Sequence, residues 1–353
     1  MYKNSRGQSV ALGKELGKGG AATVYLHATD TSKAIKIFKP EYLIKENTLP
    51  KRLEQLHKLS QAAQLDINYG NLTRAVGSWP KDIVKDRLGN VVGFSMDTVK
   101  NGIDLTDIIF ARDIKTAFYK HRMKPEYSKW QETFLYHPNG IRNRFILSYY
   151  LAISFERIYQ LKTKDGKALD LELCNFDIKP NNILVSLESI GGKSNIVPYI
   201  LDLDNLTLKN KTGSLAPNHP QFTPEYKAPE GPVNKFYDYY SIAVIFYQLI
   251  FNIHPFHGVT GGARFTDGTE MDFFVKNKCF PWGRNRKFLS KMTQDDTSHG
   301  NFLKLSPELQ TLFVRAFDSD APNQRPSMQE WAKAFVGFLS GGSIAFNRLF
   351  DFP

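Results

Sequence analysis

The stretch CNFDIKPNNILV, residues 174–185, places Asp177, Lys179 and Asn182 at offsets of zero, two and five, then runs into Ile183-Leu184-Val185. A loop of this kind offers three groups at once. The carboxylate can take a proton from a hydroxyl, the lysine can neutralise a moving phosphoryl group, and the amide oxygen can hold a divalent metal. The plain alternative is a polar turn ahead of an edge strand. Further along, VPYILDLDN (197–205) ends an apolar run with Asp202 and Asp204. A carboxylate at the end of such a strand suits Mg2+, although a strand-terminating turn uses the same residue.

Two segments near the start could supply the complementary half of a phosphate site, although glycines between two strands more often mark only a turn. LGKGGAATVYL (16–26) sets Gly17 and Gly19 between two strand-like runs. A hairpin without side chains can lie over phosphates and aim its N–H groups at them. Ala22 stands where a third glycine would complete G-x-G-x-x-G, and the segment leads into a strand, which excludes a dinucleotide fingerprint. AIKIF (34–38) then puts Lys36 inside an apolar strand. If its side chain turns inward it needs a partner, since an unpaired buried charge is costly; a snorkelling surface lysine is the bland reading. From helix phase the expected partner is Glu54, ahead of Glu46 and Glu41. An i,i+4 pair of Glu54 with Lys58 is the alternative.

These groups need elements to hold them. Residues 10–16, 22–29 and 33–39 read as strands separated by Gly and Asp/Ser turns. Pro50 and the spacing of Leu53, Leu56 and Leu59 predict a helix over 49–64. Residues 90–99 read as another strand after the turn DRLGN. Segment 111–144 is polar, basic and aromatic without a clear period, and reads as an insertion or a set of short helices. Helices are predicted over 142–161, 236–252, 303–317 and 327–340, with loop and short strands over 174–205. The expected architecture is α+β: a β-rich first part, 1–99, and a larger helical part, 100–353.

The chain has 353 residues, 42% hydrophobic and 13% aromatic, which suits a packed globular protein and argues against disorder. Its formal charge of +11 is compatible with nucleic acid, acidic lipid or a phosphorylated ligand, or with solubility alone. No recognition motif accompanies the charge, so nucleic acid is not the expected partner. The longest apolar run, 239–253, is short for a bilayer span and carries Gln248. The N-terminus shows no apolar secretion segment, and two cysteines, Cys174 and Cys279, fit a reducing compartment. A cytoplasmic protein without a membrane span is expected.

Taken in order, these segments resemble the protein kinase signature set. Asp177, Lys179 and Asn182 sit as in the catalytic loop H-R-D-x-K-x-x-N, Lys36 as the lysine of the third strand, and Asp202 as the metal-binding acid of D-F-G. FTPEYKAPE (222–230) resembles the end of the activation segment, 238–256 the buried helix after it, and APNQRPSMQEW (321–331) the late Arg-Pro segment. The match runs from about residue 12 to 340 and looks most like a bacterial branch of Ser/Thr kinases. The resemblance implies a bilobal fold binding ATP with Mg2+ (Mn2+ as an alternative ion). The nucleotide would lie among Gly17, Lys18, Gly19, Gly20, Val24, Ala34 and Lys36, against a hinge with Met96, Asp97 and Val99. Asn182 and Asp202 would hold the metal. Asp177, Lys179, Lys36, Glu54 and Thr223 would be the catalytic set, and Arg325 would pair with Glu230. Lys179 and Thr223 favour Ser/Thr over Tyr acceptors.

The departures carry information as well. Asn175 and Phe176 replace His and Arg of H-R-D, so the type is non-RD and no dependence on activation-loop phosphorylation is expected. Asp204 replaces the glycine of D-F-G, so either acid could ligate the metal, with Asp202 given the main role because it directly follows the apolar YIL. A protein substrate follows from the resemblance, the chain itself included, with Thr207, Thr212 and Ser214 as candidate acceptors. A cognate phosphatase or adaptor is a further expected partner. The rival readings are a pseudokinase acting as a nucleotide-binding scaffold and a small-molecule kinase; YKAPE (226–230) argues against the latter.

Overall fold

Short β-branched runs broken by Gly and Asp turns build an antiparallel sheet at the start of the chain. The computed structural model describes residues 2–109, 127–134, 139–175, 177–211, 213–220, 222–231, 234–257, 270–289 and 297–341. In chain order the strands are β1 (Tyr2–Lys3), β2 (Ser9–Val10), β3 (Leu12–Lys18), β4 (Ala22–His27), β5 (Lys33–Phe38), β6 (Asp66–Tyr69), β7 (Leu72–Ala75), β8 (Asp82–Lys85), β9 (Val91–Asp97), β10 (Ile103–Asp104), β11 (Glu172–Cys174), β12 (Ile183–Ile190), β13 (Lys193–Ile200), β14 (Thr207–Asn210) and β15 (Gly213–Leu215). The helices are α1 (Pro40–Lys45), α2 (Leu49–Ala62), α3 (Leu105–Ile109), α4 (Tyr127–Phe134), α5 (Asn139–Tyr159), α6 (Lys235–Phe251), α7 (Glu270–Lys276), α8 (Thr297–Gly300), α9 (Pro307–Asp318) and α10 (Met328–Ser340).

Two units emerge, and neither is a single stretch of chain. The first comprises Met1–Gly102, Arg157–Asn175 and Tyr199–Gln221; the second comprises Ile103–Glu156, Phe176–Pro198 and Phe222–Pro353. The expected division at 99/100 follows chain order alone, whereas 157–175 and 199–221 return to the first unit.

In the first unit a seven-stranded sheet has the order β2-β1-β8-β9-β5-β4-β3. The edge strand β3 is mostly exposed and carries Lys14, Glu15 and Lys18, charges that discourage further pairing. Phe38, Leu49, Leu53, Ile83, Phe94 and Met96 belong to the core between sheet and α2. Helix α2 buries Leu49, Arg52, Leu53 and Leu56, the i, i+3, i+4, i+7 stripe of an amphipathic helix. Gly93 of β9 has no room for a side chain, since a Cβ there would lie 2.1 Å from the Lys36 carbonyl oxygen. The sequence reading found β3, β4, β5, α2 and β9 but missed β1, β2, α1, the β6–β7 hairpin and β8. Those are two to six residues long, too short to show a period.

In the second unit β10, β12 and β13 form a sheet. The core is α6, buried at every position from Tyr237 to Phe251, as a helix that is apolar all round must be. Asn234 caps its start by accepting from the Phe236 N–H, and Asn252 ends it in the left-handed region. Rings of α9 and α10 pack against it, with Phe246 5.3 Å from Trp331 and Tyr247 5.4 Å from Phe313. Arg144 of α5 is buried and donates to the carbonyls of Ile108, Phe134 and Leu249 and to Asn252 Oδ1. Of the expected insertion 111–144, residues 111–126 and 135–138 lie outside the described residues, as does the tail from 342. Among the described residues no helix is long and apolar enough to cross a membrane.

Candidate active site

Each unit assembles its own group of the residues singled out by sequence. In the first unit, β4 and β9 flank β5 and set Val24 and Phe94 opposite Lys36. Lys36 is 8% exposed. Its ammonium donates to Asp202 Oδ1 at 2.8 Å and to Asp204 Oδ1 at 2.7 Å. It also stands 5.4 Å from the Phe38 ring centroid. Burial alone would depress the Lys36 pKa, but the two carboxylates outweigh it and raise the value above its ordinary range.

The two acids differ in surroundings. Asp204 is 1% exposed. Burial pushes its carboxyl upward, and Asp202 adds to this, against the pull of Lys36 and Arg52. Asp202 keeps 40% of its side chain exposed and adopts φ 54°, ψ 33°. A left-handed Asp is uncommon and is held by its neighbours. One of them is the turn at Gly77, whose φ is +73° and where a Cβ would lie 2.6 Å from the Ile200 carbonyl. The Ser78 N–H donates to that same carbonyl at 2.8 Å.

The expected Lys36–Glu54 pair is not formed. Glu54 is exposed on α2, off the stripe that faces the sheet, and the buried α2 position nearest the lysine's acids carries Arg52 instead. Arg52 Nε donates to the Asp204 carbonyl at 3.0 Å. Glu46, weighed as a rival, is fully buried and lies 3.9 Å from Arg52. Asp204 therefore supplies the inner carboxylate expected from the helix.

The glycine turn joins β3 to β4, and the Gly19 N–H donates to the Ala22 carbonyl at 2.9 Å. A Cβ at Gly17 or Gly20 would meet no atom, and Gly17, Gly19 and Gly20 all have ordinary φ. The turn itself gives no reason for glycine there, and Lys18 at the end of β3 is exposed. Ala34 and Met96 are buried in the core and pair across β5 and β9. Asp97 is half-exposed and bonded to Lys81 at 3.0 Å, and Val99 is half-buried.

In the second unit the loop before β12 forms a closed triangle. Lys179 Nζ lies 2.8 Å from Asp177 Oδ2 and donates to Thr223 Oγ1 at 3.1 Å. Thr223 Oγ1 donates to Asp177 Oδ1 at 2.8 Å. Asn182 Nδ2 donates to the Asp177 carbonyl at 3.0 Å, which closes the loop on itself. Phe176 lies outside the described residues.

Thr223 is positioned by the segment that follows it. Tyr226 donates to Gln248 Oε1 at 3.0 Å, and Ser241 donates to the Tyr226 carbonyl at 2.7 Å. His254 bonds the Glu225 carbonyl at 2.8 Å. Arg325 grips Glu230 with both terminal nitrogens, as expected, with Nη2 to Oε2 at 2.7 Å. Of the candidate acceptors, Thr207 is buried in β14, Ser214 is exposed on β15, and Thr212 lies outside the described residues.

No protein-family model matches the sequence, and no curated protein matches it. Solved structures do. A chain of the CAK complex of Chaetomium thermophilum, solved with ATP-γ-S, superposes with a TM-score of 0.51 at 17% identity. The alignment covers 94% of this chain and 89% of that one. The chain has a protein-kinase-like fold. The PknI kinase domain of Mycobacterium tuberculosis is also matched, at a TM-score of 0.46 and 15% identity, over 93% of this chain and 95% of that one.

Proposed function

We propose that this protein is a Ser/Thr protein kinase that transfers the γ-phosphoryl group of ATP to a protein hydroxyl with Mg2+, Mn2+ being the alternative ion. The observation that carries the reading is the Asp177–Lys179–Thr223 triangle. It joins a carboxylate, an ammonium and a hydroxyl from segments 44 to 46 residues apart, with no charge left unpaired. Asp177 accepts the proton of the incoming hydroxyl, and Lys179 offsets charge on the phosphoryl group in flight. Thr223 holds both in register, and Lys179 and Thr223 stand at the positions where the resemblance favours Ser and Thr acceptors.

Lys36 binds the α- and β-phosphates, and the lack of side chains at Gly17, Gly19 and Gly20 lets them approach the backbone of the turn closely. The adenine packs by Val24, Ala34 and Met96, with the backbone of 97–99 as its polar edge. Among the described residues no cluster of three or more His, Cys, Asp or Glu forms a metal site of its own. Asn182 and Asp202 fit Mg2+ because both are oxygen donors, and Asn182 spends its nitrogen on Asp177, leaving the oxygen. When bound, the ion screens phosphate charge. The reading requires the two groups of residues to act on one nucleotide.

The protein partner is a substrate, the chain itself included, and a phosphatase or adaptor would complete its regulation in a cytoplasmic setting. With Asn175 and Phe176 in place of His and Arg, no arginine before Asp177 receives a phosphate, so activity does not depend on activation-loop phosphorylation. The test is mass spectrometry after incubation with ATP and Mg2+. Phosphosites should appear in the wild type and be absent in Asp177→Ala, a loss of at least about 10²-fold. Equal phosphorylation in the variant would overturn the role of Asp177.

One observation favours a second reading, a nucleotide-binding pseudokinase: α2 offers Lys36 no carboxylate. Nucleotide binding without phosphotransfer in the same incubation would select it.

A further inference from the structure

Helix α2 and the turn before it face the segment after Asp202 with a buried ion pair that the kinase reading does not use. Glu46 and Arg52 are both fully buried. Each Glu46 carboxylate oxygen accepts a backbone N–H, Oε2 from Asn218 and Oε1 from His219, both at 2.8 Å. Arg52 reaches the other end of the same segment, through Nε to the Asp204 carbonyl at 3.0 Å. Thr48 links the two: its hydroxyl accepts from Arg52 Nη1 at 3.1 Å and donates to the Ala216 carbonyl at 2.9 Å. Asn218 adds bonds from Nδ2 to Asn47 Oδ1 at 2.7 Å and to the Lys45 carbonyl at 3.2 Å.

A carboxylate that accepts two adjacent backbone N–H groups fixes the path of that backbone, because both bonds are charge-assisted and mutually constrained. Packing alone would not select these residues. An apolar side chain would fill the space without the desolvation cost of a buried ion pair. Arg52 also keeps Nη2 buried with no partner among the described residues. The bonds from Arg52, Thr48 and Glu46 run to the backbone, so they hold Asp204, Ala216, Asn218 and His219 whatever the side chains there are.

We infer that Glu46 and Arg52 are positioning residues that hold the segment 202–219 in its nucleotide-ready course by an internal carboxylate, where a phosphate would otherwise be needed. This rests on the kinase reading. Arg52 fixes the Asp204 backbone, and through it the acid that pairs with Lys36. Glu46 fixes the far end at Asn218 and His219.

The experiment compares Glu46→Gln, Arg52→Met and Glu46→Leu/Arg52→Met with wild type in the full chain. It reads thermal midpoint, amide exchange at 218–219, affinity for the Mg2+ complex of a non-hydrolysable ATP analogue, and kcat. Glu46→Gln keeps one acceptor oxygen and should expose one of the two amides, raising its exchange about tenfold or more. Each single variant should lower the midpoint by stranding a charge, and the double variant should recover it. The double variant should nevertheless keep a kcat reduced on the order of 10²-fold, with weaker nucleotide binding. A stable double variant with wild-type kcat and analogue affinity would overturn the inference and make the pair merely structural. Should the wild type transfer no phosphate, the proposed function fails, and the amide-exchange and analogue-affinity results still decide the clamp. Unchanged values in the variants reject it.

Discussion

Asp204 Oδ1 lies 2.7 Å from Lys36 Nζ, and both side chains are buried. The lysine's inner anchor therefore comes from the acid two residues after Asp202. The helix that was expected to carry this acid points its exposed Glu54 elsewhere. Because Asp204 is enclosed and Asp202 is not, the two acids differ in reach: both bond the lysine, but of the two Asp202 alone also faces solvent, where an ion could reach it.

This difference predicts different metal behaviour. Asp202→Asn should cost on the order of 10²–10³-fold in kcat and raise the Mg2+ concentration needed for half the maximal rate. Asp204→Asn should weaken kcat/KM for ATP and leave the Mg2+ requirement where it was. A metal titration of both variants checks this, and equal displacement of the two curves would sink the assignment.

Thr223 bridges Asp177 and Lys179 through one hydroxyl. Thr223→Ser should keep that bridge and most of the rate. Thr223→Ala should lower kcat by roughly 10-fold to 10²-fold while the fold stays intact, since the groups lose their fixed geometry. Steady-state kinetics with a generic Ser/Thr acceptor are the measurement. A Ser variant as impaired as the Ala variant would place the effect in the lost methyl group.

Gly93 precedes Phe94, the β9 residue paired with Lys36, and itself pairs with Ile37. A Cβ 2.1 Å from the Lys36 carbonyl oxygen must push β5 aside. Gly93→Ala should therefore cost about 1–3 kcal/mol or more and shift Lys36 away from its acids. Thermal unfolding measures the first effect and ATP affinity the second. An unchanged midpoint would show that the strands separate freely.

His254 predicts a pH dependence. Burial lowers its pKa from the ordinary 6.5 to about 4, with His257 and His299 adding to the shift and the Glu225 carbonyl opposing it. Unfolded, the same histidine binds a proton below 6.5, so the unfolded state holds more protons between 6.5 and 4. Stability from this group is complete above pH 6.5 and falls as pH drops through that window, by on the order of 3 kcal/mol. Denaturant unfolding from pH 7 to 4 should show a steeper loss in wild type than in His254→Gln. Parallel curves would remove His254 from the acid sensitivity.

Much of this was legible in local pattern. The apolar stripe of α2, the alternation of β4 and β5 and the wholly apolar α6 announce themselves within a few turns of chain. Asp177, Lys179 and Asn182 lie within six residues, and Thr223 and the Glu230–Arg325 pair came through resemblance. The partners of Glu46, Arg52 and Asp204 did not come through, for a physical reason. Each takes its meaning from a partner more than 150 residues away, and no periodicity reports such a pairing. An Arg on the buried stripe of α2 was the one available signal, since a charge there demands a distant counter-group.

The first unit closes on residues that arrive late. Lys36 and Arg52 are made long before Asp202, Asp204 and Asn218, at separations of 166 and 152 residues for the lysine–Asp202 and arginine–Asp204 bonds. On the ribosome the sheet and α2 emerge with Arg52 paired only to Glu46 and with Lys36 lacking both of its acids, so burying that face first would strand the lysine. Its final consolidation must wait until most of two hundred residues have been added, and loop closure over that span slows the step. A fragment ending at Gly102 would carry the glycine turn and the lysine, yet lack the groups that make their burial affordable. Such a truncation should be expressed as an open, aggregation-prone sheet.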